Sequence, residues 1–172
     1  MSLKYFLNLL LFSGFLSIFN SCQPTNEKST SLILIRHAEK MIASSNDPQL
    51  STKGWQRANE LVHIFEAVDI DAVYASPYRR TIDTARPLAT AKQLEILQYD
   101  PNKLVSFAQE ILKTHQGETV VIIGHSNTTP QLTNALAGTE YSDLEETEYD
   151  WLYFVEMNPE GTPNVKKLQI QM

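Results

Sequence analysis

Residues 31 to 40 read SLILIRHAEK. Leu32, Ile33, Leu34 and Ile35 form an unbroken apolar run, the pattern of a strand buried on both faces. The run stops abruptly at Arg36 and His37. A cation and an imidazole are costly to bury without partners. A core strand that ends in them delivers charge to a site at its carboxyl end.

Reading outward, strand and helix patterns alternate. STKGWQRANELVHIF follows, with Ala58, Leu61, Val62 and Phe65 at helical spacing and Ser51 or Thr52 available as a cap. DAVYA, Asp71 to Ala75, is a second strand. SPYRRTIDTARPLATA is a helix with Ser76 as N-cap and Pro77 in the first turn, which Pro87 is expected to kink or end. LEILQY is a third strand, and DPNKLVSFAQEILKTH a helix with Asp100 capping and Pro101 in the first turn. TVVIIG is a fourth strand, and NTTPQLTNALAG a helix closed by Gly138. DWLYFVEM and NVKKLQIQM read as two late strands joined by the turn NPEG, forming an antiparallel edge. The expected fold is α/β: a three-layer sandwich whose largely parallel sheet has helices on both faces.

In that architecture the strand ends line up. The first strand ends at Arg36-His37, the second at Ser76-Pro77 with Arg79 and Arg80 in the next turn, and the fourth at Gly124-His125-Ser126. Ligands of open parallel sheets sit beyond the carboxyl ends of the strands, where helices also start and present N–H groups to anions. Two histidines and up to three arginines can therefore converge without being neighbours in sequence. Such a constellation suits a tetrahedral anion such as a phosphoryl group.

LIRHAEK, SPYRRTIDTA and GHSNT, each placed where a strand meets a helix, together resemble the histidine phosphatase superfamily, with its phosphoglycerate-mutase-like fold. LSTKGWQRA is similar to the segment that follows the family's first motif. The resemblance runs in order from about Leu32 to the C-terminus. It implies that His37 is the nucleophile that becomes phosphorylated, that Arg36 and Arg80 clamp the phosphoryl oxygens, and that His125 completes the pocket by donating to an equatorial oxygen. Glu39 matches the motif's acidic position, with an expected role in orienting arginines. Ala38 stands where glycine is usual, and Lys40 where a small polar residue is common. Between Arg80 and His125 there is one strand and one helix, with no room for the long insertion that carries the general acid and substrate lid in mutases. Asp100, after the third strand, is the best-placed acid; as an Asp before Pro101 it reads equally as a helix cap.

The implied activity is a phosphomonoesterase working without a metal through a phosphohistidine. A phosphohistidine-protein phosphatase is the enzymatic alternative, and a catalytically silent, membrane-anchored phosphate-binding protein the alternative of another class. The implied partner is a phosphorylated small molecule or a phosphoprotein. No cluster has metal-ligand spacing and no glycine-rich phosphate loop is present, so neither metal nor cofactor is expected.

Composition narrows the classes further. The chain has 172 residues, 42% of them hydrophobic, enough for one domain with a sizeable core. Its formal charge of −6 leaves no basic footprint for nucleic acid. Arg79 is expected outside the pocket, His63 on a solvated helix face, His115 near a helix C-terminus, Trp55 and Trp151 in packing, and DLEETEYD in a solvated acidic loop.

Residues 1–21 read differently. A short basic start, a mostly apolar run from Tyr5 to Phe19 and the junction Ser21-Cys22 have the layout of a bacterial lipoprotein signal. A plain secretory signal or an uncleaved anchor is the alternative, although the run is short for a full span. Cys22, the sole cysteine, is the expected lipidation point. Residues 22–30 form a polar tether, and 31–172 the folded domain. The expected location is the bacterial envelope, with the domain held to a membrane by its N-terminal lipid.

Overall fold

The computed structural model describes residues 28–42 and 46–170. The proposed signal, Cys22 and most of the tether lie outside the described residues.

Among the described residues ten elements follow in order: β1 (Thr30–Arg36), α1 (Thr52–Ile64), β2 (Ala72–Ala75), α2 (Arg79–Lys92), β3 (Ile96–Gln98), α3 (Leu104–Thr114), β4 (Thr119–Gly124), α4 (Thr128–Ala137), β5 (Trp151–Met157) and β6 (Pro163–Gln169). They build one six-stranded sheet in the order β3-β2-β4-β1-β5-β6. The pairs β3–β2, β2–β4 and β4–β1 are parallel, whereas β5 and β6 are antiparallel additions at one side. This is the expected three-layer arrangement, and the antiparallel edge is where the sequence pattern placed it.

The apolar run of β1 is explained by its two faces. Leu32 and Leu34 join Val120, Ile122, Tyr153, Phe107, Ile111 and Leu132 in one core cluster. Ile33 and Ile35 join Val73, Val121, Ile123, Leu61, Phe65 and Leu88 in the other. Successive strand residues point to opposite faces, so a central strand covered on both sides must be apolar throughout. Helices α1 and α2 cover one face, α3 and α4 the other.

Local capping differs from the sequence pattern in three places. The α1 start is as expected, with the Ser51 hydroxyl accepting from Gly54 N at 3.1 Å. Helix α2, however, begins at Arg79 with Tyr78 as N-cap, not at Ser76. The Ser76 side chain is committed elsewhere. Pro87 does not end α2, which continues to Lys92. Proline removes one N–H, but Ala85, Leu88 and Ala89 around it are buried against the sheet and hold the helix together. Finally, α3 begins at Leu104 with Lys103 as N-cap. Asp100 is therefore not the cap of α3. Its Oδ1 accepts from Asn102 N at 2.9 Å, closing an Asx turn ahead of the helix. Strand β3 is also shorter than LEILQY, because it is an edge strand that pairs only with Val73–Ala75 of β2.

Register sets the site. Arg36 of β1 pairs with Gly124 of β4, and Ala75 of β2 pairs with Ile123. The three strand ends are thus level, and His37 N donates to Gly124 O at 2.9 Å. After β1 the chain turns toward the α1 face, and after β4 toward the α4 face. The crevice opens between those two strands, at the switch point of the sheet. Gly54 brings α1 close to this end, since a Cβ there would run into the Glu39 carbonyl.

Candidate active site

Arg36, His37, Arg80 and His125 all line one cleft of about 970 Å³ at the carboxyl ends of β1, β2 and β4. Arg36 is 1% exposed, His37 3% and His125 8%. The two imidazole rings lie 5.4 Å apart, edge to face.

The state of His37 follows from one hydrogen bond. Its Nδ1 is 2.8 Å from Ala38 O. A carbonyl only accepts, so Nδ1 carries the proton and Nε2 keeps its lone pair. Burial lowers the His37 pKa to about 3, with His125, Arg36 and Arg80 adding to the shift and the Ala38 hydrogen bond opposing it. The ring is held neutral. Thr84 steadies the turn behind it, accepting from Ala38 N at 2.9 Å and donating to Arg80 O at 2.6 Å.

His125 has both nitrogens engaged: Nε2 lies 2.7 Å from Ser76 Oγ, and Nδ1 3.3 Å from Arg80 Nη2. A neutral ring has a single N–H, so in this arrangement both nitrogens are committed to protein partners and the expected donation to a phosphoryl oxygen would require one of these bonds to be exchanged. Burial, reinforced by Arg80, Arg36 and Lys40, lowers its pKa to about 4.

The arginines differ in how their donors are spent. Arg36 Nη1 donates to Glu145 O at 2.7 Å and Glu148 O at 2.9 Å, while Nη2 donates to Glu146 Oε2 at 3.0 Å. Its guanidinium stands 4.0 Å above the Tyr149 ring centroid. Arg80 meets His125, stacks on Tyr78 at 4.6 Å and approaches Asp47 Oδ1 at 3.6 Å. Both Nε–H groups, on Arg36 and Arg80, are buried and have no hydrogen-bond partner among the described residues. Buried orphan donors on two cations at one cleft are the signature of a site built to take an anion.

Other expected residues fall elsewhere. Asp100 is exposed and lines a small pocket with Tyr74, Tyr99 and Glu110, which adjoins the cleft through Lys103 and Ser106 but does not place the carboxylate among the cleft's lining. Its carboxyl is held below the usual range, chiefly by the Asn102 backbone N–H. Glu39 orients Arg57, not the cleft arginines, through bonds of 2.9 and 2.8 Å. Burial pushes the Glu39 carboxyl up, but Arg57 and Lys53 outweigh it and bring it to about 2. Arg79 is exposed and bonds Gln49, outside the cleft as expected. His115 is buried between Tyr74 Oη and Glu118, at 3.0 and 2.6 Å.

Sequence reading missed Glu146 and Tyr149. The loop DLEETEYD is not merely solvated: it folds over the cleft, anchored by Arg36. Glu146 Oε1 also pairs with Lys40 at 2.8 Å, and Lys40 and Arg36 hold the Glu146 carboxyl ionised. No periodicity links a residue 110 positions away to Arg36; only the high acidity of the loop could have hinted at a cationic partner.

Comparison with known proteins adds an independent line. Residues 32–102 match the family described as the histidine phosphatase superfamily (branch 1). Those residues belong to the histidine phosphatase superfamily. A curated relative, phosphoserine phosphatase 1 of Hydrogenobacter thermophilus, is 25% identical over 164 residues, covering 64% of this chain and 78% of the relative. Among solved structures, Bacillus stearothermophilus YhfR is similar with a TM-score of 0.67 at 22% identity, covering 79% of this chain and 95% of that one. The protein histidine phosphatase SixA complexed with tungstate gives a TM-score of 0.66 at 16% identity, covering 81% and 96%. These structural likenesses establish the phosphoglycerate-mutase-like fold. The enzyme class that the family and the curated relative stand for is a phosphomonoesterase. Nothing in the comparisons supports a silent phosphate-binding protein.

Glu146 competes electrostatically with any anion for Arg36 and Lys40. Its side chain is 66% exposed, so solvent screens the pair. An exposed pair is worth roughly 0–1 kcal/mol, about fivefold at most in affinity. Glu146→Gln is expected to tighten inorganic phosphate binding by up to about fivefold at low salt, with the gain shrinking as salt rises. Isothermal titration at two ionic strengths checks this.

Proposed function

We propose that this protein hydrolyses phosphate monoesters by transferring the phosphoryl group to His37 Nε2 and then to water. The observation that carries the reading is the His37–Ala38 hydrogen bond, which leaves a neutral nitrogen lone pair in the cleft lined by two buried guanidinium groups whose Nε–H donors have no partner among the described residues. In the first step the Nε2–P bond forms as the bond from phosphorus to the leaving oxygen breaks. That oxygen departs as an anion and takes its proton from solvent. In the second step a water oxygen bonds to phosphorus as the Nε2–P bond breaks, the water's protons go to the departing phosphate and solvent, and the His37 lone pair is restored. Arg36 and Arg80 supply fixed positive charge for the transferring phosphoryl oxygens.

Rapid quenching with labelled substrate at neutral or alkaline pH is expected to trap a phosphoenzyme that survives base and decays in acid, as an N–P bond does. Peptide mapping is expected to place the label on His37. His37→Ala should abolish both label and turnover. Arg80→Ala should lower kcat by on the order of 10²–10³, the usual cost of removing one donor to developing charge. Label on Ser126 or His125 would overturn the assignment.

The supply of protons favours one substrate class. Glu146 is the sole carboxylate that lines the cleft among the described residues, and it is held ionised. Asp100 lies outside the cleft. Leaving groups that need no proton from an enzyme carboxylic acid are therefore favoured, and the imidazole of a phosphohistidine is one, because its distal ring nitrogen takes a proton from solvent near neutral pH. The likeness in fold to the protein histidine phosphatase SixA is in keeping with this second reading. Turnover of a phosphohistidine-bearing protein and of an activated aryl phosphate should exceed that of phosphoserine. Preferred hydrolysis of phosphoserine, the substrate type of the curated relative's name, would reverse this ranking.

We further propose that Cys22 is lipidated and tethers the domain to a bacterial envelope membrane, on the strength of the basic start, apolar run and Ser21-Cys22 junction. Metabolic labelling with a fatty-acid probe should mark the wild type and not Cys22→Ala.

A further inference from the structure

Behind the cleft, four side chains form a hydrogen-bonded chain whose direction is fixed at both ends. At the inner end, Thr81 Oγ1 lies 2.7 Å from Ser76 O and 2.8 Å from Tyr78 O. Both are carbonyls, which only accept, so the Thr81 hydroxyl proton is committed to them. Thr81 Oγ1 can then only accept from Ser76 Oγ, 3.1 Å away. The single Ser76 proton is thereby committed as well. Ser76 Oγ must accept from its remaining neighbour, His125 Nε2, at 2.7 Å. With its proton on Nε2, neutral His125 presents a lone pair at Nδ1. At the outer end Nδ1 faces Arg80 Nη2 at 3.3 Å, and a guanidinium only donates. Donors and acceptors match at every link with no proton left over. Reversing the chain would set an N–H of His125 against an N–H of Arg80.

The chain is also sealed from water. Ser76 and Thr81 are both 0% exposed. Solvent cannot supply an alternative partner, and an unmade hydrogen bond there costs the desolvation of the group. Ser76 sits at the end of β2, and Thr81 in the first turn of α2, which makes no side-chain cap of its own. The serine that looks like a helix cap is spent on the histidine.

Resting on the phosphatase reading of this cleft, we infer that Ser76 and Thr81 are positioning residues that fix the Nε2–H tautomer of His125, so that His125 holds Arg80 by accepting from it. His37 and His125 then carry opposite tautomers, Nδ1–H and Nε2–H, in one cleft. His37 presents a lone pair to phosphorus, while His125 spends its lone pair on aiming the Arg80 guanidinium. Arg80 Nε–H stays available to the anion.

The tautomers can be read without substrate. The chain has only four histidines, so long-range proton–nitrogen correlation spectra of the full chain labelled with ¹⁵N-histidine, held in detergent, resolve each ring. His125→Asn and His37→Asn identify the two signals by loss. The expected wild-type result is a neutral His125 with its proton on Nε2 and a neutral His37 with its proton on Nδ1. Ser76→Ala should lose the single His125 tautomer and lower kcat/KM about tenfold, a fraction of the 10²–10³ expected for removing Arg80 outright. Thr81→Val should act in the same direction, while Thr81→Ser, which keeps the hydroxyl, should restore both tautomer and rate to within about threefold of wild type. A wild-type His125 protonated on Nδ1, or a His125 tautomer unmoved by Ser76→Ala, overturns the inference even if a variant folds poorly, because the wild-type spectrum stands alone. If the tautomers are as stated and no phosphate ester is hydrolysed, the phosphatase reading fails and the hydrogen-bond chain does not. Weakened binding of inorganic phosphate by Ser76→Ala then reads the positioning of Arg80 in place of rate.

Discussion

The parallel pairing of β1 with β4 is the contact on which the site depends. Its register sets Arg36 beside Gly124, so the two strands end at the same height and hand the chain to opposite faces of the sheet. That divergence opens the crevice and brings the His37 and His125 rings within contact distance. Six consecutive pairs from Ser31 to Arg36 hold the register. A slip of one residue would turn Ile33 and Ile35 toward the wrong helices and carry His37 to the other face. The core and the site are therefore specified by the same alternation of side chains.

A nearly fully buried arginine is expensive unless its donors are satisfied. Arg36 meets that requirement by gathering the carbonyls of Glu145 and Glu148 and the carboxylate of Glu146, with Tyr149 stacked on its plane. The loop between α4 and β5 is thus folded by the active-site arginine, and the same arginine is immobilised by the loop. What remains unsatisfied among the described residues is Nε, on Arg36 and on Arg80 alike. In a chain with an overall charge of −6, an anion site has to be made by such local convergence. Glu146 and Lys40 at the rim tune it, because each offsets a charge of opposite sign that faces the cleft.

Protons in this cleft are placed by geometry more than by bulk pH. Both histidines are buried and surrounded by cations, so both stay neutral well below the usual imidazole range. Which nitrogen carries the proton is decided by groups that can play only one role. A carbonyl at Ala38 sets His37; carbonyls at Ser76 and Tyr78, acting through two hydroxyls, set His125. The one carboxylate among the described residues that lines the cleft, Glu146, is held ionised by Lys40 and Arg36.

By itself the sequence determined the layers, the strand identities and the residues that meet at the cleft. Apolar runs such as Leu32 to Ile35 and TVVIIG can only be central strands, and charge at their ends can only lie at the sheet edge. The Ser51 cap and the αL cap at Gly138 were legible for the same reason: their partners lie within one turn. Tertiary structure decided whatever depended on a distant partner. Ser76 before Pro77 has the local chemistry of an N-cap, yet His125, 49 residues away, takes its hydroxyl. Pro87 reads as a helix breaker, yet burial of its neighbours against the sheet outweighs one lost hydrogen bond. Asp100 follows a strand as a catalytic acid would, yet the chain turns it to solvent. Glu146 and Tyr149 have no sequence signal beyond the acidity of their loop, because a loop's partner is set by where its anchors fold, and the anchor here is a guanidinium buried 110 positions away in the chain. Short-range chemistry is written in the order of residues. Long-range hydrogen bonds are chosen only when packing brings the donors and acceptors together and excludes the water that would otherwise satisfy them.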